Sequence, residues 1–186
     1  MKISVKKEIE KLVKYHNLNC SIEEFKDKID WVDISKDQKL SLDFIREFQD
    51  EIYWFFVSIY QKLSLYIIRE FKDKIDWEAI SIYQKLSKDF IREFQDKVNW
   101  ELISQHQKLS LDFIREFQDK VDWYYISNHQ ELSEDFILEF KNRICWKSIE
   151  KYQNITKKDI EEYELKKAIE KNNKTRVKNK FQLIRF

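Results

Sequence analysis

The 186-residue chain contains no glycine and no proline, only two cysteines and three histidines, and one methionine. Each shortage closes a class of function. Without glycine there is no loop that can bring successive backbone N–H groups onto a phosphate, and no strand-to-helix elbow for a serine nucleophile. Helix ends must also turn without the residue that most easily takes the left-handed conformation, so Asp, Lys and Asn are expected there instead. Lacking both residues, the chain should be stiff, with few flexible linkers. Cys20 and Cys145 stand five repeats apart and cannot bridge in a stacked array, so reduced thiols in a cytosol-like compartment are expected. No apolar run approaches the roughly 18 residues that a membrane helix needs. The start, with Lys2, Lys6 and Lys7, leads into an amphipathic helix and not a secretory signal, so a cytoplasmic location without membrane contact is the expectation. The sequons at Asn154 and Asn173 then have no consequence.

What is present is a period. Trp31, Trp54, Trp77, Trp100, Trp123 and Trp146 follow one another at intervals of 23 residues. The unit reads L-S-x-D-F-I-R-E-F-x-D-K-I-D-W-x-x-I-S-x-x-Q-K, and Gln38–Asp50 is identical over thirteen residues to Gln107–Asp119. One continuous helix is excluded, because each residue advances about 100° and an apolar stripe of this period would spiral around it. Strict alternation is missing too, so strands are not expected.

Two short helices per repeat satisfy the local signals. Ser41, Ser64, Ser87, Ser110 and Ser133 are placed to cap a helix A of about ten residues. Its apolar face is Phe44, Ile45 and Phe48 with Ile52, or Phe113, Ile114, Phe117 and Val121 in a later copy. Asp30, Asp76, Asn99 and Asp122 then cap a helix B of about eight residues that opens on the tryptophan. Tyr53 and Cys145 replace that cap, which predicts a weaker or shifted helix start at both joints.

One repeat cannot stand alone. Five or six buried side chains at ~1.5–3 kcal/mol each do not offset an ordering cost of roughly 1–2 kcal/mol per residue, so neighbours must supply the rest. The predicted fold is an all-α solenoid of one elongated domain: an N-terminal capping helix over 1–16 with Ile9, Leu12 and Val13 inward, six helix-turn-helix repeats over 17–154, and a C-terminal capping helix with a basic tail over 155–186. Thr156 and Asp159 should cap the last helix, which presents Ile160, Tyr163, Leu165 and Ile169 and has no seventh tryptophan after it.

The six tryptophans and the D-F-I-R-E-F core, as in LSKDFIREFQDKVNW from Leu86 to Trp100, resemble 23-residue helical repeats in proteins of large amoeba-infecting DNA viruses of the mimivirus type. The resemblance spans roughly Asn17 to Asn154 and carries no catalytic residue and no activity. It implies a viral origin, with the protein in host cytoplasm or in the virion.

A repeat array presents a surface, and a binding surface is written where repeats differ. The first, second and fifth residues after each tryptophan form an outer strip of helix B. The second repeat departs from the others there, with Phe55, Phe56 and Ile59, followed by Leu65 and Tyr66; the fifth repeat carries Tyr124 and Tyr125. Such apolar side chains mark contact with a protein partner or a second copy, unless local packing covers them. His106 and His129 share one position in adjacent repeats where others have tyrosine, and no third ligand accompanies them. The recurrent Asp89, Glu93 and Asp96 with Arg92 read as a solvated ion-pair face, not an acid and base. No enzyme, cofactor, metal or small-molecule substrate is expected.

From Leu165 to Phe186 there are eight Lys or Arg and one acid, Glu170, while the whole chain carries a net +1. This charge makes nucleic acid the alternative partner, through Lys174, Arg176, Lys178, Lys180 and Arg185. A basic end also complements a helix C-terminus.

Overall fold

The structure is a computed structural model that describes residues 1–37 and 39–183; at 37 and 176–183 only the backbone is described. Among the described residues there are fourteen helices and no strand. A leading helix, α1 (Ile3–Tyr15), precedes a first pair, α2 (Phe25–Lys28) and α3 (Trp31–Asp37). Five fuller pairs follow: α4 (Leu42–Glu47) with α5 (Trp54–Tyr60), α6 (Leu65–Glu70) with α7 (Trp77–Tyr83), α8 (Lys88–Glu93) with α9 (Trp100–His106), α10 (Leu111–Glu116) with α11 (Trp123–His129), and α12 (Glu134–Glu139) with α13 (Trp146–Tyr152). A long α14 (Lys157–Leu183) closes the chain. These are repeated helix pairs with capping helices, an all-α solenoid, and they form two compact units, Met1–Leu102 and Ile103–Phe186.

The capping signals act as the sequence implies. In the five fuller pairs each helix A begins at a serine whose hydroxyl accepts the N–H three residues on, from Phe44, Ile67, Phe90, Phe113 and Phe136. Asp76, Asn99 and Asp122 cap helix B in the same way. Tyr53 and Cys145 make no side-chain cap bond, yet α5 and α13 still begin at the tryptophan. The start does not shift because a serine of the preceding repeat holds the cap residue's own N–H: Ser35 Oγ accepts from Tyr53 at 3.0 Å and Ser127 Oγ from Cys145 at 2.9 Å.

Helix A is six residues long, not ten. Phe48, at φ −114° and ψ 28°, leaves helical geometry, and its counterparts Phe71, Phe94, Phe117 and Phe140 do the same. The tryptophan closes the turn that follows. Its indole N–H donates to the carbonyl five residues earlier, Trp54 to Gln49, Trp77 to Lys72 and Trp123 to Gln118, at 2.9–3.0 Å. The ring meanwhile packs on helix A of the next repeat, with Trp77 to Phe94 at 5.1 Å and Trp123 to Phe140 at 4.9 Å between centroids. One side chain thus fixes both the turn within a repeat and the step to the next, which is why tryptophan keeps the period.

A polar ladder runs through this apolar core. Ser58, fully buried, accepts the N–H of Asp76 on Oγ, and its carbonyl accepts Gln84 Nε2 at 2.9 Å. Gln84 Nε2 also reaches the Gln61 carbonyl at 2.9 Å, and its Oε1 takes the Leu63 N–H. Ser104, Gln107, Leu109 and Gln130 repeat the arrangement in the C-terminal unit. The Leu63 and Leu109 bonds close a repeat on itself, and the others join one repeat to the next, so buried polar groups find their full set of partners in the stack.

The ends differ from expectation in detail. On α1 the buried face is Val5, Ile9 and Leu12, and Val13 is half-buried. Asn17 turns the chain after α1 at φ +51° and Asn154 does so after α13 at +55°, filling the glycine role. On α14, Thr156 and Asp159 form a reciprocal cap and Ile160 is buried, but Leu165 and Ile169 are 62% and 51% exposed. Where the preceding repeat has Phe136, Phe140 and Ile144, α14 has Asp159, Tyr163 and Lys167. With nothing there to bury, the turn does not form and the helix runs on past the place of a seventh tryptophan, held by Ile169.

Candidate interaction surface

From the second repeat on, the first residue after each tryptophan of helix B faces solvent while the second is covered to varying degree; in the first repeat Val32 is half-buried and Asp33 exposed. Helix B packs beside the helix B before it, so the second position meets the fifth of its predecessor. Lys36 Nζ accordingly lies 4.3 Å from the centre of the Phe56 ring. Ala79 and Ser148 at the same second position are buried. Phe55 is therefore 52% exposed, and Phe56 and Ile59 are half-buried.

Phe56 is the hub of an aromatic cluster. Its ring lies 5.4 Å from Phe55, 6.3 Å from Tyr53 and 6.3 Å from Tyr60. Tyr53 and Tyr60 are more than half exposed. Four rings thus form one surface in the N-terminal unit, capped on one side by the Lys36 ammonium. Tyr53 belongs to it through the same substitution that removes the helix cap, a link that reading Tyr53 only as a missing cap overlooks. Tyr60 was legible as the sixth residue after Trp54, one step beyond the strip chosen from the sequence.

Leu65 and Tyr66 sit elsewhere, at the start of α6. Leu65 is half-buried, and the exposed Tyr66 takes a hydrogen bond from Arg46 Nη2 at 3.0 Å. Arg46 also grips Glu70 in a two-point pair at 2.6 and 2.7 Å. That hydrogen bond holds the Glu70 carboxyl below its ordinary range. Arg69 and Glu93 repeat the pair at 2.7 and 2.6 Å, and Lys74 meets Asp50 at 2.6 Å. The acids of helix A are an ion-pair face, but the strongest pairs cross between repeats instead of lying within one helix.

In the C-terminal unit Tyr124 is exposed and packs edge-on against half-buried Tyr125 at 5.3 Å, and Tyr125 stacks on His129 at 6.0 Å. Lys151 Nζ is 2.9 Å from the Tyr152 hydroxyl, and that bond, with help from Tyr124, raises its pKa. His106 and His129 line one open groove of about 540 Å³ with Lys108 and Glu131. Among the described residues no three His, Cys, Asp or Glu side chains are placed to hold a metal ion, and no helix is long and apolar enough to cross a membrane. Cys20 and Cys145 are both free thiols.

Lys171 and Lys174 of the tail lie on α14 and are exposed. The side chains of Arg176, Lys178 and Lys180, and all of Arg185, lie outside the described residues. The apolar cluster and the tail belong to different compact units. No protein-family model, no curated protein and no solved structure matches the chain.

Proposed function

We propose that the protein is a non-enzymatic scaffold that binds a protein partner, or a second copy of itself, through the aromatic cluster of Tyr53, Phe55, Phe56 and Tyr60. The observation that carries this is local: one repeat exposes four contacting rings where its neighbours place Glu78 and Ala79 or Glu101 and Leu102. Exposed aromatic clusters of this kind are the usual anchors of protein interfaces. The test is sedimentation velocity of the purified chain, together with capture of partners from lysate, using wild type and Phe55→Ser/Phe56→Ser. Phe55 is half in solvent, so the variant should keep its helicity and lose the association. An association that survives the double change removes the reading. The basic face of α14, with Lys171 and Lys174 free of carboxylates among the described residues, supports nucleic-acid binding as a second reading, and truncation after Glu164 tests it.

A further inference from the structure

The loops that lead from helix B back to helix A line one edge of the N-terminal unit, and their charges differ from those of the helix-A side. Leu40 N–H bonds Gln61 Oε1 at 3.1 Å, Leu63 N–H bonds Gln84 Oε1 at 3.3 Å, and Gln84 Nε2 bonds the Gln61 carbonyl, so consecutive loops are stacked directly on one another. Lys39, Lys62 and Lys85 occupy the same place in three such loops and are all exposed. Gln61 and Leu63 on either side of Lys62 are buried, which leaves the lysine to point outward. Lys39 also lines an open groove of about 500 Å³ with Lys7 and Lys11 of α1. Glu8 in that groove is engaged by the N–H of Ser41 at 3.0 Å and by its hydroxyl. None of these five lysines is paired with a carboxylate among the described residues, whereas Arg46, Arg69 and Lys74 on the helix-A side each hold one.

Exposed rings alternate with these cations. Tyr60 precedes Lys62 by two residues and Tyr83 precedes Lys85 by two, and the tyrosines are 58% and 57% exposed. In the C-terminal unit the corresponding pairs are His106 with Lys108, His129 with Glu131 and Tyr152 with Asn154, so one further exposed lysine, beside a histidine, precedes the end of the column.

We propose that this edge binds single-stranded nucleic acid, with phosphates on Lys7, Lys11, Lys39, Lys62 and Lys85 and bases stacked on Tyr60 and Tyr83. Unpaired cations that track a backbone, interleaved with exposed rings, are what such a strand requires. An acidic peptide would use the cations alone, and a duplex keeps its bases from the rings. The site is independent of the α14 tail and shares only Tyr60 with the Phe55–Phe56 cluster.

Fluorescence anisotropy of the full chain with a labelled oligo(U) at low salt tests it, against a duplex of the same length and with polyglutamate as competitor. Lys39→Ser/Lys62→Ser/Lys85→Ser should weaken binding at least about tenfold and flatten the log–log salt slope by about 0.7 per lysine. Tyr83→Ala should weaken it several-fold with the slope unchanged. Truncation after Glu164, and Phe55→Ser alone, should leave it intact. All these side chains are exposed, and circular dichroism verifies the fold. No binding by the wild type, a triple variant that binds normally, or a silent Tyr83→Ala with equal competition by polyglutamate overturns the proposal. Loss of binding on truncation alone transfers nucleic-acid binding to α14 and overturns it too.

Discussion

On the helix-A side of the N-terminal unit the charges are joined one repeat to the next, Arg46 to Glu70, Arg69 to Glu93 and Asp50 to Lys74. On the side of helix B and its loops, lysines stand alone and rings are exposed. The two sides also differ in sequence, for the D-F-I-R-E-F segment is copied almost unchanged while the first, second and sixth residues after each tryptophan vary. A pair that spans repeats ties each residue to its counterpart in the neighbouring repeat, so one cannot drift without the other. At the last junction Leu138 stands where arginine does in earlier repeats although the acid, Glu162, is kept, and α14 is held instead by Lys141 to Glu164 and by Lys167 and Tyr163 to Asp135. Bonds between repeats conserve one side and leave the other free to acquire partners.

The contrast is broken most severely at the ladder beneath both sides. Gln84→Leu keeps the volume but strips the Leu63 N–H and the Ser58 and Gln61 carbonyls of their partner at once. Buried groups left unpaired cost ~1–3 kcal/mol each, so the loss should exceed about 3 kcal/mol in urea unfolding. Lys85→Ser, one residue away on the exposed edge, should change stability by less than about 0.5 kcal/mol. Equal effects would show that the ladder does not hold the stack. Ser58→Ala comes next: it orphans only the Asp76 N–H and should cost about 1–3 kcal/mol.

Much of this fold is spelled locally and could be read from spacing alone. The serine and aspartate caps act on residues two or three away, and Phe44, Ile45 and Phe48 share a helical face, so turn geometry suffices to find them. The glutamine of the ladder recurs in every repeat as plainly as the tryptophan does, and the serine in all but the last, where Glu150 stands. Their partners, however, lie 18 to 26 residues away, and no helical or strand period points to them. The shorter helix A was hidden for a similar reason, since the tryptophan indole that closes the next turn acts from outside the helix. In the candidate surface Phe55 and Tyr124 are exposed, whereas the partial cover of Phe56 depends on Lys36 in another repeat. Tyr66 looked like part of the same patch because it is close in sequence, but its neighbours are Arg46 and Glu70.

The smallest effect sharpens the comparison most, because it isolates the ion pairs from the ladder. Arg69 and Glu93 are well exposed, so Arg69→Ala should lower Tm by less than about 3 °C, and added salt should shrink the difference. Its pH dependence has a fixed sign. The hydrogen bond from Arg69 lowers the Glu93 pKa in the folded chain, so the pair's contribution is fully present above the ordinary carboxylate value of about 4 and is lost as pH falls through the lowered one. Wild type and variant should therefore differ at neutral pH and converge below that point. The ladder contains no titrating group, so Gln84→Leu should keep its full deficit across the same range. If the Arg69→Ala difference persisted unchanged in strong acid, the arginine would be stabilising by packing its stem and not by its charge, and the helix-A face would owe its uniformity to shape.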